Sequence, residues 1–259
     1  DMRVTFGAIS HHYFAGFGGG RKLIFPGLGH RPAIYRNHSL FLDSAARRLA
    51  TGCRPGRLDG NPLAEDLAEI ETHCPADLAI HGIMDSRGTL CRLLVGRGVD
   101  DFRRACALHG ENCEVAVNTS ADLVVASCGG YPKDINFIQA HKAVHHAAAF
   151  VRDGGRLIVF AQCPDGVGST TFLPWFRMGA MDAAFDRLLA DYAGNGGTAL
   201  AMMEKSRRIR IHLVTDLPDD LVRTMGARRV EPSQALDVIA GHRNRLIVIP
   251  NASLLVKRP

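Results

Sequence analysis

The stretch "ADLVVASCGGYPKDINFIQAHKAV", residues 121–144, decides the fold class because it changes character twice within a few residues. Its first seven residues are mostly apolar and indicate a short buried strand, Ala121–Ser127. The next part, "GGYPKDIN", has the glycine and proline of a loop, and apolar residues at helical spacing begin at Phe137. A strand, a loop and a helix in this order predict the start of a βαβ unit, from which parallel sheets are built.

The sequence after this stretch continues the alternation of strand and helix. We therefore predict an α/β fold with two domains, residues 1–118 and 119–259, the second with a mainly parallel sheet flanked by helices. Ligands of such sheets bind beyond the carboxyl ends of the strands, so we expect a site in the cleft between the domains. The predicted strands after the first are 156–161, 208–215 and 245–250, and the predicted helices are 137–151, 180–192, 218–226 and 233–242.

The sequence before residue 118 mixes strand and helix patterns. Residues 3–9 alternate like a strand, and apolar residues at helical spacing predict a helix over 35–51. Asn61 followed by Pro62 is typical of a helix start, with Asn61 as the N-cap. The other elements expected here are strands at 78–83 and 90–95, joined by a turn around 85–88, and a helix at 100–109.

Composition limits the class of protein. The 259 residues are 46% hydrophobic and 22% charged with a net charge of +5, values typical of a globular protein. No apolar run approaches the roughly 18 residues of a membrane span, and no nucleic-acid-binding motif accompanies the scattered basic residues. The seven cysteines include no Cys-x-x-Cys pair, which favours free thiols in a reducing cytoplasm.

The glycine-rich loop "HHYFAGFGGGRKLIFPG", residues 11–27, carries the strongest local signal for a ligand. Its end, Arg21-Lys22-Leu23, lacks the Gly-Lys-Ser/Thr of a Walker loop, and no glycine triplet has the Gly-x-Gly-x-x-Gly spacing of a Rossmann fingerprint. Glycines still let backbone N–H groups approach phosphate oxygens, and Arg21 and Lys22 add positive charge. The loop therefore indicates a phosphorylated ligand, with a flexible surface turn as the alternative.

Several motifs in order along the chain resemble the nickel-dependent lactate racemase family. They are the glycine-rich loop, "NH" at 37–38, "NPLAED" at 61–66, "GGYPKDIN" at 129–136 and "QAHK" at 139–142. The resemblance covers nearly the whole chain but only the later part of the family's usual length. Together with the start at Asp1, close to a predicted strand, it indicates a chain that lacks the family's N-terminal segment.

The resemblance implies a cofactor and a set of residues that hold it. The cofactor is a nickel-pincer nucleotide, a pyridinium mononucleotide that holds nickel through sulfur, carbon and sulfur and is tethered to a lysine as a thioamide. That lysine falls on Lys22, and a histidine ligand to nickel falls on His38. The other cofactor-binding positions implied are Gly18, Gly19, Gly20, Arg21, Gly129, Gly130 and Tyr131.

The resemblance also implies catalytic residues. A histidine acid/base falls on His12, and two groups on the substrate side fall on Gln139 and Lys142. A second catalytic histidine and a substrate-binding arginine belong to the family's N-terminal segment and match no residue of this chain. One departure is visible at Gly18, where the family often has serine, so this chain lacks a hydroxyl near the phosphate.

The activity implied is racemisation or epimerisation of a 2-hydroxy acid in the cytoplasm. Removing a hydride from the α carbon while a base takes the hydroxyl proton avoids a carbanion beside a carboxylate. An imidazole suits the base, and a lysine suits the carboxylate. The partners implied are the substrate and the enzymes that make and load the cofactor. Assembly into a homo-oligomer is left open.

Two other functions stay open from the residues alone. One is a non-catalytic chain that binds a cofactor or metal, and the other is a nicotinamide-dependent oxidoreductase. The failed Gly-x-Gly-x-x-Gly count disfavours the second. Several further residues also have two interpretations. His141 and His145 at i,i+4 spacing form either a metal pair or a solvated, hydrogen-bonded face, and Trp175 lines the site or packs in the core.

Overall fold

The computed structural model describes residues 1–258, which form two compact units. The first unit is Asp1–Glu114 together with Arg258, and the second is Val115–Lys257. The division lies slightly before the boundary expected near residue 118, because the last helix of the first unit continues to Cys113.

The first unit is built on a three-stranded sheet in the order β1-β6-β7, where β1 is parallel to β6 and β6 is antiparallel to β7. Its apolar core lies between this sheet and α3 and contains the buried side chains of Ile9, Ile83 and Phe102. The elements are β1 (Val4–Ala8), β2 (Ser10–His12), β3 (Gly16–Gly18), α1 (Arg31–Ser39), β4 (Leu42–Asp43), β5 (Arg48–Leu49), α2 (Pro62–His73), β6 (Leu78–Met84), β7 (Leu90–Gly96), α3 (Gly98–Cys113) and the boundary strand β8 (Glu114–Val115).

Local sequence signals account for several of these elements. The side chain of Asn61 accepts a hydrogen bond from the Ala64 backbone N–H at 3.2 Å, so the predicted N-cap of α2 is confirmed. The turn between β6 and β7 is closed by Asp85, whose carboxylate accepts the backbone N–H of Arg87 and of Thr89, each at 2.8 Å.

The prediction of a helix over residues 35–51 is wrong. The helix that forms is α1, which ends at Ser39, and the following residues make the two-residue strands β4 and β5. Phe41 lies between α1 and β4, is fully buried, and stacks on Phe14 with 4.5 Å between ring centroids. This contact holds the chain in the protein interior directly after α1, so tertiary packing outweighs local helix propensity.

The second unit contains a five-stranded sheet in the order β12-β11-β10-β9-β13, with every neighbouring pair parallel. The parallel sheet predicted from the alternating pattern is confirmed. Its elements are β9 (Ala121–Ser127), α4 (Phe137–Ala148), β10 (Val151–Phe160), α5 (Met181–Ala190), α6 (Gly196–Arg208), β11 (Arg210–Val214), α7 (Asp219–Thr224), β12 (Arg228–Arg229), α8 (Pro232–Gly241), β13 (Leu246–Ile249) and β14 (Val256–Lys257).

Glycines of this unit occur inside a strand and at the start of a helix. Gly154 and Gly155, which follow the predicted helix 137–151, lie inside β10, where the register of β10 against β9 shifts. Helix α6, which the sequence analysis did not predict, begins at Gly196. A Cβ atom at Gly196 would overlap Leu188 and Trp175, so close packing against these side chains places a poor helix former here.

Within residues 1–258, no helix is long and apolar enough to cross a membrane. All seven cysteines are free thiols, and five of them are buried. Burial raises the pKa of the Cys53 thiol to about 11, so this side chain behaves as a small buried apolar group rather than as a nucleophile.

Candidate functional site

The glycine-rich loop folds as a tight hairpin followed by a short 3₁₀ turn. Strands β2 and β3 pair antiparallel, and His12 lies opposite Gly16 at the end of the pair. Nδ1 of His12 accepts the backbone N–H of Phe14 at 3.2 Å and of Ala15 at 3.0 Å. Because Nδ1 is an acceptor, the neutral ring carries its proton on Nε2, and in this conformation His12 is a hydrogen-bond donor at Nε2.

Lys22 and His38 come close together although sixteen positions separate them. Lys22 is half-buried in the 3₁₀ turn Gly20–Leu23, and His38 is half-buried near the end of α1. Burial lowers the pKa of His38, and the positive charge of Lys22 lowers it further, against a hydrogen bond to the Ile34 carbonyl. His38 is therefore a neutral imidazole near neutral pH.

The ring nitrogens of His38 have distinct roles. Nδ1 lies 2.7 Å from the carbonyl oxygen of Ile34, so Nδ1 carries the proton and donates it to this bond. The lone pair is then on Nε2. This is the arrangement of a metal-ligating histidine, where a hydrogen bond at one nitrogen orients the other.

Two buried asparagines connect the motifs that carry the resemblance. Nδ2 of Asn37, the neighbour of His38, donates to the Asp66 carboxylate at 2.8 Å. Nδ2 of Asn61 donates to the Phe14 carbonyl at 2.8 Å and to the Arg57 carbonyl at 3.0 Å. The "NH" and "NPLAED" strings therefore have a structural function beyond the predicted N-cap at Asn61, and these long-range bonds were not predicted from the sequence. The signal available was only that both strings contain an asparagine beside otherwise ordinary helix residues.

The glycines of the loop are required by packing. Gly19 and Gly20 have φ of 82° and 53°, a region that favours glycine. A Cβ atom would overlap the Ala8 carbonyl oxygen at Gly19 and the Phe102 ring at Gly20. Gly18 is different, because a Cβ there would lie 3.1 Å from Oγ of Ser10, a side chain that can move.

The side chain of Arg21 does not extend from the loop as a free positive charge. It is 8% exposed, and Nη2 donates to the Ala64 carbonyl at 2.9 Å. Its guanidinium carbon lies 4.8 Å from the centroid of the Phe102 ring. This placement contradicts the expectation that Arg21 adds charge for a phosphate, because the buried guanidinium is held by protein groups.

In the second unit, Gln139 and Lys142 are brought together on the first turns of α4. Nζ of Lys142 donates to Oε1 of Gln139 at 2.7 Å. Desolvation lowers the pKa of Lys142, and the positive charge of Lys133 lowers it further. The start of the helix is held by Asn136, whose side chain accepts the Gln139 backbone N–H at 3.1 Å.

The loop with Gly129, Gly130 and Tyr131 follows the carboxyl end of β9 and is exposed, with Tyr131 78% accessible. Its first residue is fixed by a 3.0 Å hydrogen bond from the Gly129 N–H to Oγ of Ser127. The following residues bond through the main chain to the loop after β10. These bonds join Cys163 N–H to Asp134 O, Asp165 N–H to Ile135 O, Phe137 N–H to Gly166 O, and Ile138 N–H to Val167 O.

Two neighbouring carboxyl-end loops of the sheet therefore form one platform, defined here as residues 128–136 and 162–167. Asp134 supports it as well, since its carboxylate accepts the Gln162 N–H at 3.1 Å, and it does not cap α4. The position agrees with the rule that ligands bind beyond the carboxyl ends of parallel strands.

The remaining candidate residues pack against other groups of the protein. His141 is fully buried, so the solvated face proposed for it does not exist, and Trp175 packs in the core. His11 packs on the rings of Phe17 and His109. In the part of the chain that the structure describes, no three His, Cys, Asp or Glu side chains converge on a metal-sized space.

Comparison with known families matches both parts of the chain. The profile of the lactate racemase N-terminal domain matches residues 1–50, and that of the lactate racemase C-terminal domain matches residues 116–253. The chain belongs to the lactate racemase family. The lactate racemase of Thermoanaerobacterium thermosaccharolyticum is 33% identical over 178 residues, and that of Lactiplantibacillus plantarum is 30% identical over 179 residues.

These matches include 68% and 66% of this chain but 40% and 39% of the two lactate racemases. The structure of the lactate racemase apoprotein from T. thermosaccharolyticum aligns with the whole chain at a TM-score of 0.89 and 27% identity, over 63% of its own length. A crystal structure of a protein from Thermotoga maritima shares the fold, with a TM-score of 0.70 at 15% identity over 98% of this chain and 66% of its own.

Proposed function

We propose that this chain takes part in racemisation or epimerisation of a 2-hydroxy acid, with a nickel-pincer nucleotide tethered to Lys22. The observation that carries the proposal is that the charge of Lys22 acts on the neutral His38 ring, whose Nδ1 is held by the Ile34 carbonyl so that the lone pair is on Nε2. Family membership supports the same reaction class.

The chemistry of the donor set fits this group. A primary amine is the only side chain that could form the thioamide tether, and Lys22 is the single lysine of the first unit. Nickel accepts imidazole nitrogen readily, and His38 offers one in the neutral form. Because the pincer itself holds the metal, one protein ligand is enough. When bound, the cofactor supplies a carbon that accepts hydride.

Lys142 and Gln139 would bind the substrate. The ammonium of Lys142 is a compact positive charge suited to a carboxylate, and desolvation together with the charge of Lys133 lowers its pKa. Gln139 orients that ammonium through the 2.7 Å hydrogen bond. The exposed tip of the platform, Gly129 to Tyr131, would contact the cofactor or the substrate.

His12 would exchange a proton with the substrate hydroxyl at Nε2. In the conformation described, Nε2 already carries a proton, since Nδ1 accepts two backbone N–H groups. To accept a proton at Nε2, the ring must leave these donors and take its proton on Nδ1. The acid/base function of His12 therefore requires a rearrangement of the turn formed by residues 12–15.

The test is the intact mass of the protein co-produced with the enzymes that make and load the cofactor. We expect added mass on the parent, no added mass on Lys22→Ala, and an unchanged adduct on Lys133→Ala, a matched exposed lysine. An adduct that persists on Lys22→Ala contradicts the tether. Conversion of one enantiomer of a 2-deuterated 2-hydroxy acid into the other, with the deuterium retained, then tests the reaction, and a loaded protein that forms no opposite enantiomer favours the non-catalytic alternative.

Several partners belong to the same proposal. They are a small 2-hydroxy acid as substrate and the maturation enzymes that load the cofactor. The cytoplasmic location predicted from cysteine use stays a prediction, as does a site to which both units contribute.

A further inference from the structure

Arg21 and Lys22 are adjacent in sequence and differ in what holds them. The guanidinium of Arg21 is buried, bonded to the Ala64 carbonyl on α2, and packed over Phe102 on α3. Another nitrogen of the same guanidinium, Nε, is buried and has no hydrogen-bond partner within residues 1–258. An arginine that is more than nine-tenths buried with an open donor requires an explanation, because burying an unpaired polar group costs free energy.

Glu71 faces Arg21 across a small cavity. Both residues line this space of about 10 Å³ together with Thr5, and Oε2 of Glu71 is also buried without a hydrogen-bond partner among the described residues. The two charges act on each other, since the carboxylate of Glu71 raises the pKa of Arg21 against the larger lowering by burial. A cavity of this size accommodates one water molecule, and a water there has polar partners on both sides.

We propose that Arg21 is a positioning residue: with Glu71 and one bridging water, its guanidinium fixes the turn that presents Lys22. We call Arg21, Glu71 and Phe102 the Arg21 anchor. It joins the 3₁₀ turn to α2 through Ala64 and Glu71 and to α3 through the Phe102 ring.

The main chain of Arg21 makes this positioning direct. Its carbonyl oxygen accepts the N–H groups of Ile24 and Phe25, both at 3.1 Å, and the Lys22 N–H donates to Gly19 O at the same distance. A shift of Arg21 therefore moves the bonds on both sides of Lys22. A fixed backbone at Lys22 limits where its flexible four-carbon side chain can place the amine.

The reason why Lys22 would need a fixed position rests on the proposed function. The Arg21 anchor itself can be tested on protein without cofactor. The variants are Arg21→Met and Glu71→Gln, with Arg31→Met and Glu69→Gln as controls that remove the same charges from exposed positions of α1 and α2. The readout is the rate at which a water-soluble succinimidyl ester acetylates Lys22 in the native protein, followed by mass spectrometry.

A second measurement in the same unit detects a purely structural defect. Alkylation of Cys113, which is 3% exposed on α3, reports opening of the first unit as a whole. We expect Arg21→Met and Glu71→Gln to speed acetylation of Lys22 about tenfold through local opening while Cys113 alkylation changes little. Neither control should change either rate.

Equal acceleration at Lys22 and Cys113, or an unchanged rate at Lys22, would overturn the positioning role. A high-resolution crystal structure of the parent should show one ordered water within hydrogen-bond distance of Arg21 Nε and Glu71 Oε2, and a dry cavity contradicts the bridge. Absence of an adduct on the co-produced parent rejects the proposed function alone, since the acetylation rates are measured without cofactor.

Discussion

The two lysines proposed to act in the reaction are supported in different ways. Around Lys22 the support comes from side chains: Asn61 bonds to the hairpin, and Arg21 bonds to α2. Around Lys142 it comes mostly from the main chain, because the two loops of the platform bond to each other through four backbone hydrogen bonds, beside the side-chain bonds of Asp134 and Asn136. Lys22 is half-buried, and Lys142 is exposed at the surface of α4.

The difference teaches where single substitutions can separate function from stability. Side-chain support is lost with one residue, and removing a buried polar partner leaves its acceptors unpaired. Main-chain support survives most side-chain changes, so an exposed reactive group above it can be altered with little effect on folding. Changes near Lys22 should therefore affect stability, whereas a change at Lys142 should affect mainly activity.

The largest effect is expected at Lys142. In the loaded enzyme, Lys142→Met removes the proposed charge for the substrate carboxylate and should lower kcat/KM by about 10²–10³-fold, with an unchanged urea midpoint. Lys133→Met, which removes a nearby exposed charge, is the control and should retain most activity. Equal losses in both variants would show that only the general charge of this surface matters.

Asn61 should give the clearest effect on folding. Asn61→Ala removes the N-cap of α2 and leaves the Phe14 and Arg57 carbonyls unpaired, which should cost about 3–4 kcal/mol of unfolding free energy. Urea denaturation of the cofactor-free protein measures the loss. Asn112→Ala, an exposed asparagine with one bond to the Leu108 carbonyl, should change far less. A small loss for Asn61→Ala would mean that the hairpin is held by other contacts.

The interior of the second unit predicts a pH effect. Burial lowers the pKa of His146 to about 4, against a hydrogen bond to the Ala252 carbonyl, whereas the unfolded chain has the ordinary value of 6.5. The unfolded state therefore binds the proton more tightly. This contribution to stability is complete above pH 6.5 and falls by about 3 kcal/mol as the pH drops towards 4.

Urea midpoints between pH 7 and 4 would measure this dependence. His146→Gln, which keeps a donor near the Ala252 carbonyl, should lose correspondingly less stability over this range. His212 has a similarly lowered pKa and contributes its own share in both proteins, so the difference between them reports His146 together with its electrostatic effect on the buried His141. Parallel pH profiles would show that His146 is not the group responsible.

The smallest effect is expected at Gly18. Its φ is not in the left-handed region, and Oγ of Ser10 can rotate away, so Gly18→Ser should change the unfolding free energy by less than about 0.5 kcal/mol. Gly19→Ala is the matched comparison, because φ is 82° there and a Cβ would overlap Ala8, and should cost about 1–3 kcal/mol. Similar costs would contradict the packing reason given for the loop.

Elements with their own local signal were predictable from sequence. Strand β9 was predicted with the bounds observed, and the start of α2 followed from Asn61 and Pro62. The failures are at places where distant contacts decide the outcome. Stacking of Phe41 on Phe14 ends the helical pattern after α1, and Gly196 begins α6 because its neighbours leave no room for a side chain.

For the candidate site, sequence reasoning could identify residue types but not their directions. The spacing of Lys22 and His38 came from the family resemblance, and in the fold the charge of Lys22 acts on the His38 ring. Nothing in "GGRK" indicates that Arg21 is buried, because that depends on Ala64, Glu71 and Phe102 from later in the chain. The proton position on His12 likewise depends on the turn geometry.

The main-chain bonds between the loops of the platform have an evolutionary consequence. Four of these bonds use atoms that every residue except proline carries, so they do not require particular side chains. Mutations can accumulate without loss of the scaffold wherever the φ of the loop suits any residue, which excludes Cys163 and Gly166, whose φ values are 57° and 69°. The same backbone can thus support different exposed side chains at the tip of the platform while the supporting geometry is inherited unchanged.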